Sequence, residues 1–116
     1  MKVRFVPLVL AGLAGPLAPA AAQVANDFPT EARADYVFAC MAANGRTREV
    51  LRECSCSIDV IASILAYEDY VEAETILSIR RLGGEKTSMF RSAAPMREAV
   101  ADLRRAQAEA EIRCFR

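Results

Sequence analysis

The sequence predicts an all-α domain, a compact bundle of about four helices held together by two disulfide bonds. Three observations lead to this prediction: apolar residues recur every three or four positions, no segment alternates with the period of a β-strand, and the number of cysteines is even, at four. The chain has 116 residues, of which 53% are hydrophobic and 26% charged, a composition typical of globular rather than disordered proteins. This length allows one domain.

The first 22 residues are typical of a secretory signal peptide. Lys2 and Arg4 precede a short apolar run over residues 5–14, and a run of three alanines then supplies the small residues that a signal peptidase needs. We expect cleavage between Ala22 and Gln23. The apolar run is about half the length of a membrane span. The mature chain is therefore expected in the periplasm or secreted, without a membrane span.

The mature chain is predicted to begin with a flexible lead-in over residues 23–29, followed by a single helical domain over residues 30–116. Thr30 is suited to cap the first helix, and Asn44-Gly45 is suited to end it, because glycine readily adopts positive φ. One face of this helix is predicted to point inward: Ala34, Val37, Cys40 and Met41.

The second helix is predicted to run from its cap at Thr47 to about Leu65 and to lie antiparallel to the first. It carries two apolar stripes, one at Leu51, Cys54, Ile58, Ile61 and Leu65, and the other at Cys56, Val60 and Ile64. A helix that is apolar on two sides belongs at the centre of a bundle.

The third helix is predicted over Glu68–Leu82, with acidic residues at its start, arginines at its end and Gly83-Gly84 after it. Residues 85–94 form a connection with room for one helical turn. Pro95 is suited to the first turn of the fourth helix, which runs nearly to the C-terminus. Its inward stripe is Met96, Val100, Leu103, Gln107, Ala110 and Cys114.

The four cysteines are predicted to form structural disulfides, because an exported protein meets an oxidising compartment. Cys54 and Cys56 diverge by about 200° on a helix and cannot bond to each other. Cys40 then takes one of them and Cys114 the other. The hairpin register slightly favours Cys40–Cys54 with Cys56–Cys114 over the exchanged pairing. The alternative is thiol redox or soft-metal handling at Cys54 and Cys56.

No catalytic, cofactor-binding or metal site is predicted. The chain has no histidine, which excludes histidine-based triads and histidine–metal sites, and its 15 basic residues equal its 15 acidic ones. Removal of Lys2 and Arg4 leaves 13 basic residues and a net charge of −2, which disfavours nucleic acid. We therefore predict a non-enzymatic protein.

A surface patch at Tyr67 and Tyr70 is a candidate contact for a partner, since tyrosine combines apolar area with a polar tip. The main hypothesis from the sequence is a periplasmic or secreted protein that binds another exported protein. A rigid, cross-linked bundle lowers the ordering cost of such binding.

The export signal, the helical pattern and the C-x13-C-x-C…C spacing of the cysteines resemble, in outline, two groups of small exported helical proteins. One is the HdeA-type acid-stress chaperones of the bacterial periplasm, and the other is the Rap/Tai-type immunity proteins that neutralise secreted toxins. The stretch from Cys54 to Ala62 also looks like a signature of uncharacterised exported bacterial proteins. The first resemblance implies the alternative function of an acid or envelope-stress chaperone, whose switch would rest on carboxylates and act below about pH 5.

Overall fold

The computed structural model describes residues 26–116, apart from the side chains of Lys86, Met89 and Phe90. The predicted signal peptide and residues 23–25 of the predicted lead-in lie outside this range. The described chain is helical, without strands, and its helices are α1 (Thr30–Asn44), α2 (Arg48–Ile64), α3 (Tyr67–Leu82), the single-turn α4 (Ser88–Ser92) and α5 (Ala94–Cys114). A 3₁₀ turn over Glu85–Thr87 precedes α4. The predicted four-helix bundle is confirmed, and α4 occupies the predicted connection.

The helix limits follow local signals that the sequence displays. Thr47 accepts a hydrogen bond at its hydroxyl from the backbone N–H of Val50, at 3.1 Å, and so caps α2. Gly45 after α1 and Gly83 after α3 adopt φ of 115° and 71°, values that other residues rarely take. Pro95 stands in the first turn of α5, where its missing N–H costs no helical hydrogen bond.

The core lies mainly between α2 and α5. Helix α2 packs against α1 on one side and α5 on the other, and α3 packs against α5. The buried hydrophobic residues that form the core are Phe28, Cys54, Ile58, Ile61, Ala62, Leu65, Ala73, Ile76, Val100, Leu103, Ala106 and Ala110. Helix α2 thus has a packed neighbour on each of two sides, as its two apolar stripes predict, whereas α5 contacts α2, α3 and α4; Leu51 and Ile64, at the ends of the stripes, are exposed.

Both predicted disulfides are present, with the favoured pairing. Cys40 bonds to Cys54 and Cys56 bonds to Cys114, with Cα–Cα distances of 5.8 and 5.7 Å. The first bond joins α1 to α2, and the second joins the end of α5 to α2. Because Cys54 and Cys56 point to different sides of α2, one helix is cross-linked to a neighbour on each side.

Residues 26–29 differ from the expected flexible lead-in, because Phe28 is buried in the core. Its ring lies 5.2 Å from that of Tyr67 and 5.1 Å from that of Tyr70, measured between centroids. Asp27 accepts a hydrogen bond from the backbone N–H of Tyr67 at 3.0 Å. A residue forty positions away therefore caps α3, and the helix begins at Tyr67, one residue before the predicted start.

Helix α1 is the element that departs most from its predicted packing. None of its residues is buried. Cys40, Val37 and Met41 of the predicted inward stripe are half-buried, and Ala34 is exposed. This face packs against α2, but no residue on it is fully covered.

Candidate functional site

The open side of the α1–α2 hairpin forms an apolar groove of about 510 Å³. We call it the apolar groove, and its lining residues are Thr30, Arg33, Ala34, Val37, Phe38, Met41, Ser55, Ile58 and Asp59. Nearly all of its accessible surface comes from apolar atoms. Ser55 contributes little polarity because its hydroxyl donates to the backbone oxygen of Leu51 at 2.7 Å.

Phe38 stands at the edge of the apolar groove with 72% of its surface exposed. Burial of apolar surface is favourable by about 25 cal/mol for each Å² that leaves water. Covering the exposed ring of Phe38 with a partner would therefore stabilise the complex. Single exposed apolar residues are ordinary on protein surfaces. Phe38 differs because half-buried Val37 and Met41 continue the same apolar surface.

One end of the apolar groove is closed by an ion pair between Arg33 and Asp59. Arg33 also donates to the side chain of Asn26 and to the backbone oxygen of Phe28, and its guanidinium lies 5.8 Å from the centre of the Phe28 ring. This arginine therefore joins α1 to α2 and to the segment before α1.

The other end leads to two exposed arginines, Arg48 and Arg52. Their spacing from Ser55 and Asp59 follows the four-three-four pattern of one helix face, so both lie on the groove side of α2. Neither forms an ion pair with any residue of 26–116. Arg48 is the first residue of α2, where the helix dipole disfavours a positive charge, and it stands one turn from Arg52, which repels it.

A second concavity lies between α1 and α3, with a volume of about 610 Å³. We call it the acidic cleft. Its lining residues come from four helices and from Phe115 after α5: Asp35, Tyr36, Ala39, Cys40, Asn44, Ser57, Tyr70, Glu74, Arg81, Gln107, Glu111 and Phe115. It contains three carboxylates and one guanidinium. The contact between Arg81 and Glu74 is long, at 4.0 Å; the Arg81 side chain is largely exposed and that of Glu74 is about one-third exposed.

The two tyrosines of the acidic cleft, Tyr36 and Tyr70, both have raised pKa values. Burial raises the pKa of Tyr70 to about 12, and the carboxylates of Glu74 and Asp35 contribute to the shift. Burial also raises the pKa of Tyr36; Glu74 adds to this, while the nearby Ser57 hydroxyl offsets part of it. Burial is the main reason why ionisation of both phenols is disfavoured, and the neighbouring carboxylates add to it.

Ser57 contributes to the acidic cleft a polar atom that is almost fully buried. Only 1% of the residue is exposed, and its Oγ has no hydrogen bond of normal geometry with any group in residues 26–116. It nevertheless interacts with the Tyr36 phenol closely enough to lower the pKa of that group against the effect of burial. A buried hydroxyl without a partner costs stability, so such a group is an informative exception.

The tyrosines predicted as a partner patch lie side by side. The rings of Tyr67 and Tyr70 are stacked, with centroids 6.5 Å apart, and both are half-buried against Phe28. Tyr70 lines the acidic cleft and Tyr67 does not. Phe38, Tyr36 and Ser57 were not among the predicted site residues. Helical spacing alone does not show which apolar face remains uncovered.

The four cysteines are all in disulfide bonds, and the described residues contain no free thiol. Cys54 is completely buried. Among residues 26–116 no group of three or more histidine, cysteine, aspartate or glutamate side chains is arranged to hold a metal ion. The alternative of thiol or soft-metal chemistry would first require reduction of a disulfide.

No helix in residues 26–116 has the length and apolar character needed to cross a membrane. No family model matches the chain, and neither a curated protein nor a solved structure matches it.

Proposed function

We propose that this protein is a non-enzymatic, exported binding protein that docks an amphipathic helix of another exported protein in the apolar groove. The observation that carries the proposal is Phe38, 72% exposed beside a continuous apolar surface on α1 and α2. A groove between two antiparallel helices is the usual receptor for an amphipathic helix, which presents apolar side chains three and four positions apart.

The shape of the apolar groove supports binding because it is largely pre-formed. The Cys40–Cys54 bond and the Arg33–Asp59 pair hold α1 against α2 at two separate points. A receptor whose backbone is already ordered loses less conformational entropy when it binds. The oxidised cysteines are compatible with export, which the signal-like start of the sequence predicts.

The charges at the groove end favour a partner helix with acidic residues. Arg48 and Arg52 repel each other, Arg48 opposes the dipole of α2, and neither forms an ion pair within the described chain. Carboxylates on a partner would supply that compensation. The expected occupant is therefore an amphipathic helix with an apolar stripe over Phe38 and acidic side chains at the arginine end.

Site-specific photo-crosslinking in the producing cells tests this proposal. A photoreactive phenylalanine analogue replaces Phe38 in one version of the full chain and Ile112 in the control, since Ile112 is equally exposed, at 74%, but lies outside the groove. We expect one discrete adduct with another protein from position 38 and none from position 112.

Charge reversal provides a second arm of the test. In R48E/R52E the adduct from position 38 should decrease strongly, while the folded protein should be at least as stable, since glutamates suit the first turns of a helix. Equal adducts from positions 38 and 112 would contradict the proposal. An adduct with many unrelated proteins would support the chaperone alternative, and an adduct of the doubled mass alone would identify a second copy of the chain as the occupant.

A further inference from the structure

The acidic cleft combines three features that together select one class of ligand. Its walls carry the carboxylates of Asp35, Glu74 and Glu111, its aromatic lining comes from Tyr36, Tyr70 and Phe115, and Ser57 presents a buried oxygen that has no partner. Carboxylates attract cations, and the faces of aromatic rings do the same. We propose that the acidic cleft binds an organic cation, an alkylammonium or alkylguanidinium group with an apolar stem.

The charge balance of the acidic cleft favours a cation over an anion or a neutral ligand. Its one guanidinium, on Arg81, is exposed at the rim and makes only a long contact with Glu74. Asp35 and Glu74 both act on Tyr70, so these two carboxylates and the phenol surround the same region. A positive group placed there would interact favourably with both carboxylates. It would compete only with the long Arg81–Glu74 contact.

The arrangement of donors excludes a bare metal ion as the preferred ligand. No set of carboxylates in the described residues converges closely enough to hold one. The aromatic lining also favours an organic cation, because the negative face of an aromatic ring attracts an alkylammonium or guanidinium group that lies against it.

The size of the acidic cleft fits a ligand with a stem. Its volume of about 610 Å³ is within the usual range for small-molecule sites. Its residues on α1 extend from Asp35 to Asn44, which is about 13 Å of helix at 1.5 Å per residue. Gln107 and Asn44 add amide oxygens along this length for a second donor group.

Ser57 has a defined role in this proposal. Its Oγ accepts a hydrogen bond from the bound ammonium or guanidinium, which satisfies the only buried side-chain oxygen or nitrogen that lacks a partner in residues 26–116. Because this residue is 1% exposed and carries no charge, its substitution by alanine removes an acceptor without disturbing the surface. The proposal is independent of the apolar groove, which lies on another side of α1.

The chain carries its own reporter for the test. It has no tryptophan and three tyrosines; two line the acidic cleft, and Tyr67 stacks on one of these. Titration of the purified protein with agmatine, an alkylguanidinium that also carries an ammonium, should change the tyrosine fluorescence in a saturable way. Calorimetry gives the affinity, which should weaken as salt is added. Binding should also lower the pKa of Tyr70 from about 12, since a bound positive charge favours the phenolate.

Three variants and a matched control sharpen the test. E74Q and D35N should each weaken agmatine binding about tenfold, and S57A about threefold, as expected for hydrogen bonds to a charged group and for one buried acceptor. E98Q removes an exposed carboxylate of α5 outside the acidic cleft and should leave the affinity unchanged. S57A should remain fully folded, so its weaker binding cannot be attributed to unfolding.

A parallel titration with the peptide acetyl-Gly-Arg-Gly-amide distinguishes a free amine from a protein side chain as the source of the cation. Tight binding of agmatine identifies a free amine, and tight binding of the peptide alone identifies an arginine side chain of a partner. If neither ligand binds at millimolar concentration, or if E98Q weakens binding as much as E74Q, the proposal is wrong. Equal affinity for a neutral alcohol of the same length would also overturn it.

Discussion

Helices α1 and α5 pack on opposite sides of α2, yet they are held there by different forces. Helix α5 contributes four buried residues to the core, Val100, Leu103, Ala106 and Ala110, whereas α1 contributes none. Helix α1 is held by half-buried Tyr36 and Val37, which pack against the core, and by the Cys40–Cys54 bond, Arg33 and the buried ring of Phe28 before it. The fully buried core therefore comes from α2, α3 and α5, and α1 lies at its side, cross-linked and packed through half-buried residues.

This difference explains where the binding surfaces lie. A helix that is fully buried against its neighbours leaves no concavity, but α1 leaves one on each of its flanks: the apolar groove toward α2 and the acidic cleft toward α3. A disulfide keeps such a helix in position without consuming its apolar surface. The two disulfides thus have different consequences for the fold, and this contrast can be measured.

The largest expected effect is the loss of a disulfide. C56A/C114A opens a link between residues 58 positions apart and should lower the free energy of unfolding by about 4 kcal/mol. C40A/C54A opens a link over 14 positions and should lower it by about 3 kcal/mol. Chemical denaturation measures both values.

Hydrogen exchange tests the contrast between the two variants more directly. In C40A/C54A the amides of α1 should exchange much faster while those of α2 and α5 stay protected, because α1 has no buried residue to hold it. In C56A/C114A protection should fall throughout the bundle. If the two variants lose protection in the same helices, α1 is not a separate unit.

Core packing gives the next effect. Leu103 of α5 is completely buried in the core, so L103A should lower the free energy of unfolding by about 3 kcal/mol. F38A on α1 removes a larger side chain but should change it by less than about 0.5 kcal/mol, because Phe38 is mostly exposed. Thermal or urea unfolding of the two variants decides this, and a large loss in F38A would show that the apolar groove is closed in solution.

A smaller effect is expected at the ion pair that closes the apolar groove. R33A removes contacts to Asp59, Asn26 and Phe28 and should cost about 1 kcal/mol. The matched control is R113A, whose partner Glu109 lies one turn away on the same helix at 2.7 Å, and whose loss should cost about 0.3 kcal/mol. Equal costs in urea unfolding would mean that Arg33 does not help to hold α1.

The last effect appears only in alkaline solution. The pKa of Tyr70 is about 12 in the folded protein, above the ordinary value of 10, so the folded state holds this proton more tightly than the unfolded state. Its contribution to stability is complete below pH 10 and is lost as pH rises from 10 to 12. Absorbance at 295 nm after a rapid pH jump should show one phenol ionising near pH 12, and Y70F should lack this step and lose less stability over the same range.

Much of the fold follows from local sequence signals. The cap at Thr47 and the glycines at 45 and 83 set helix ends because each satisfies or permits one local backbone geometry. Helix geometry also requires Cys54 and Cys56 to bond to different neighbours; it leaves two pairings, between which the hairpin register gives only a slight preference for the observed one. The helix ends and the divergence of Cys54 from Cys56 depend on residues a few positions apart.

The candidate sites were less predictable. Ala34, Val37 and Met41 have the spacing of a core-facing stripe. In the structure they line the apolar groove, which no other helix of the described chain covers. Phe28 was assigned to a flexible lead-in because its partners, Tyr67 and Tyr70, lie about forty residues away. The buried Ser57 gave no signal, because a serine among apolar residues on a helix is common at surfaces as well.

Local sequence signals are enough to predict the helices, most of their ends and the need for Cys54 and Cys56 to bond to different helices, because backbone hydrogen bonding, capping and helix periodicity act over a few residues. Tertiary packing sets which apolar faces are covered, where Phe28 inserts and which carboxylates and tyrosines of α1, α3 and α5 meet around one cleft. Such meetings depend on how far each helix is turned and tilted against its neighbours. Those angles are set by the packing of the whole core, which leaves a concavity on each of two sides of α1.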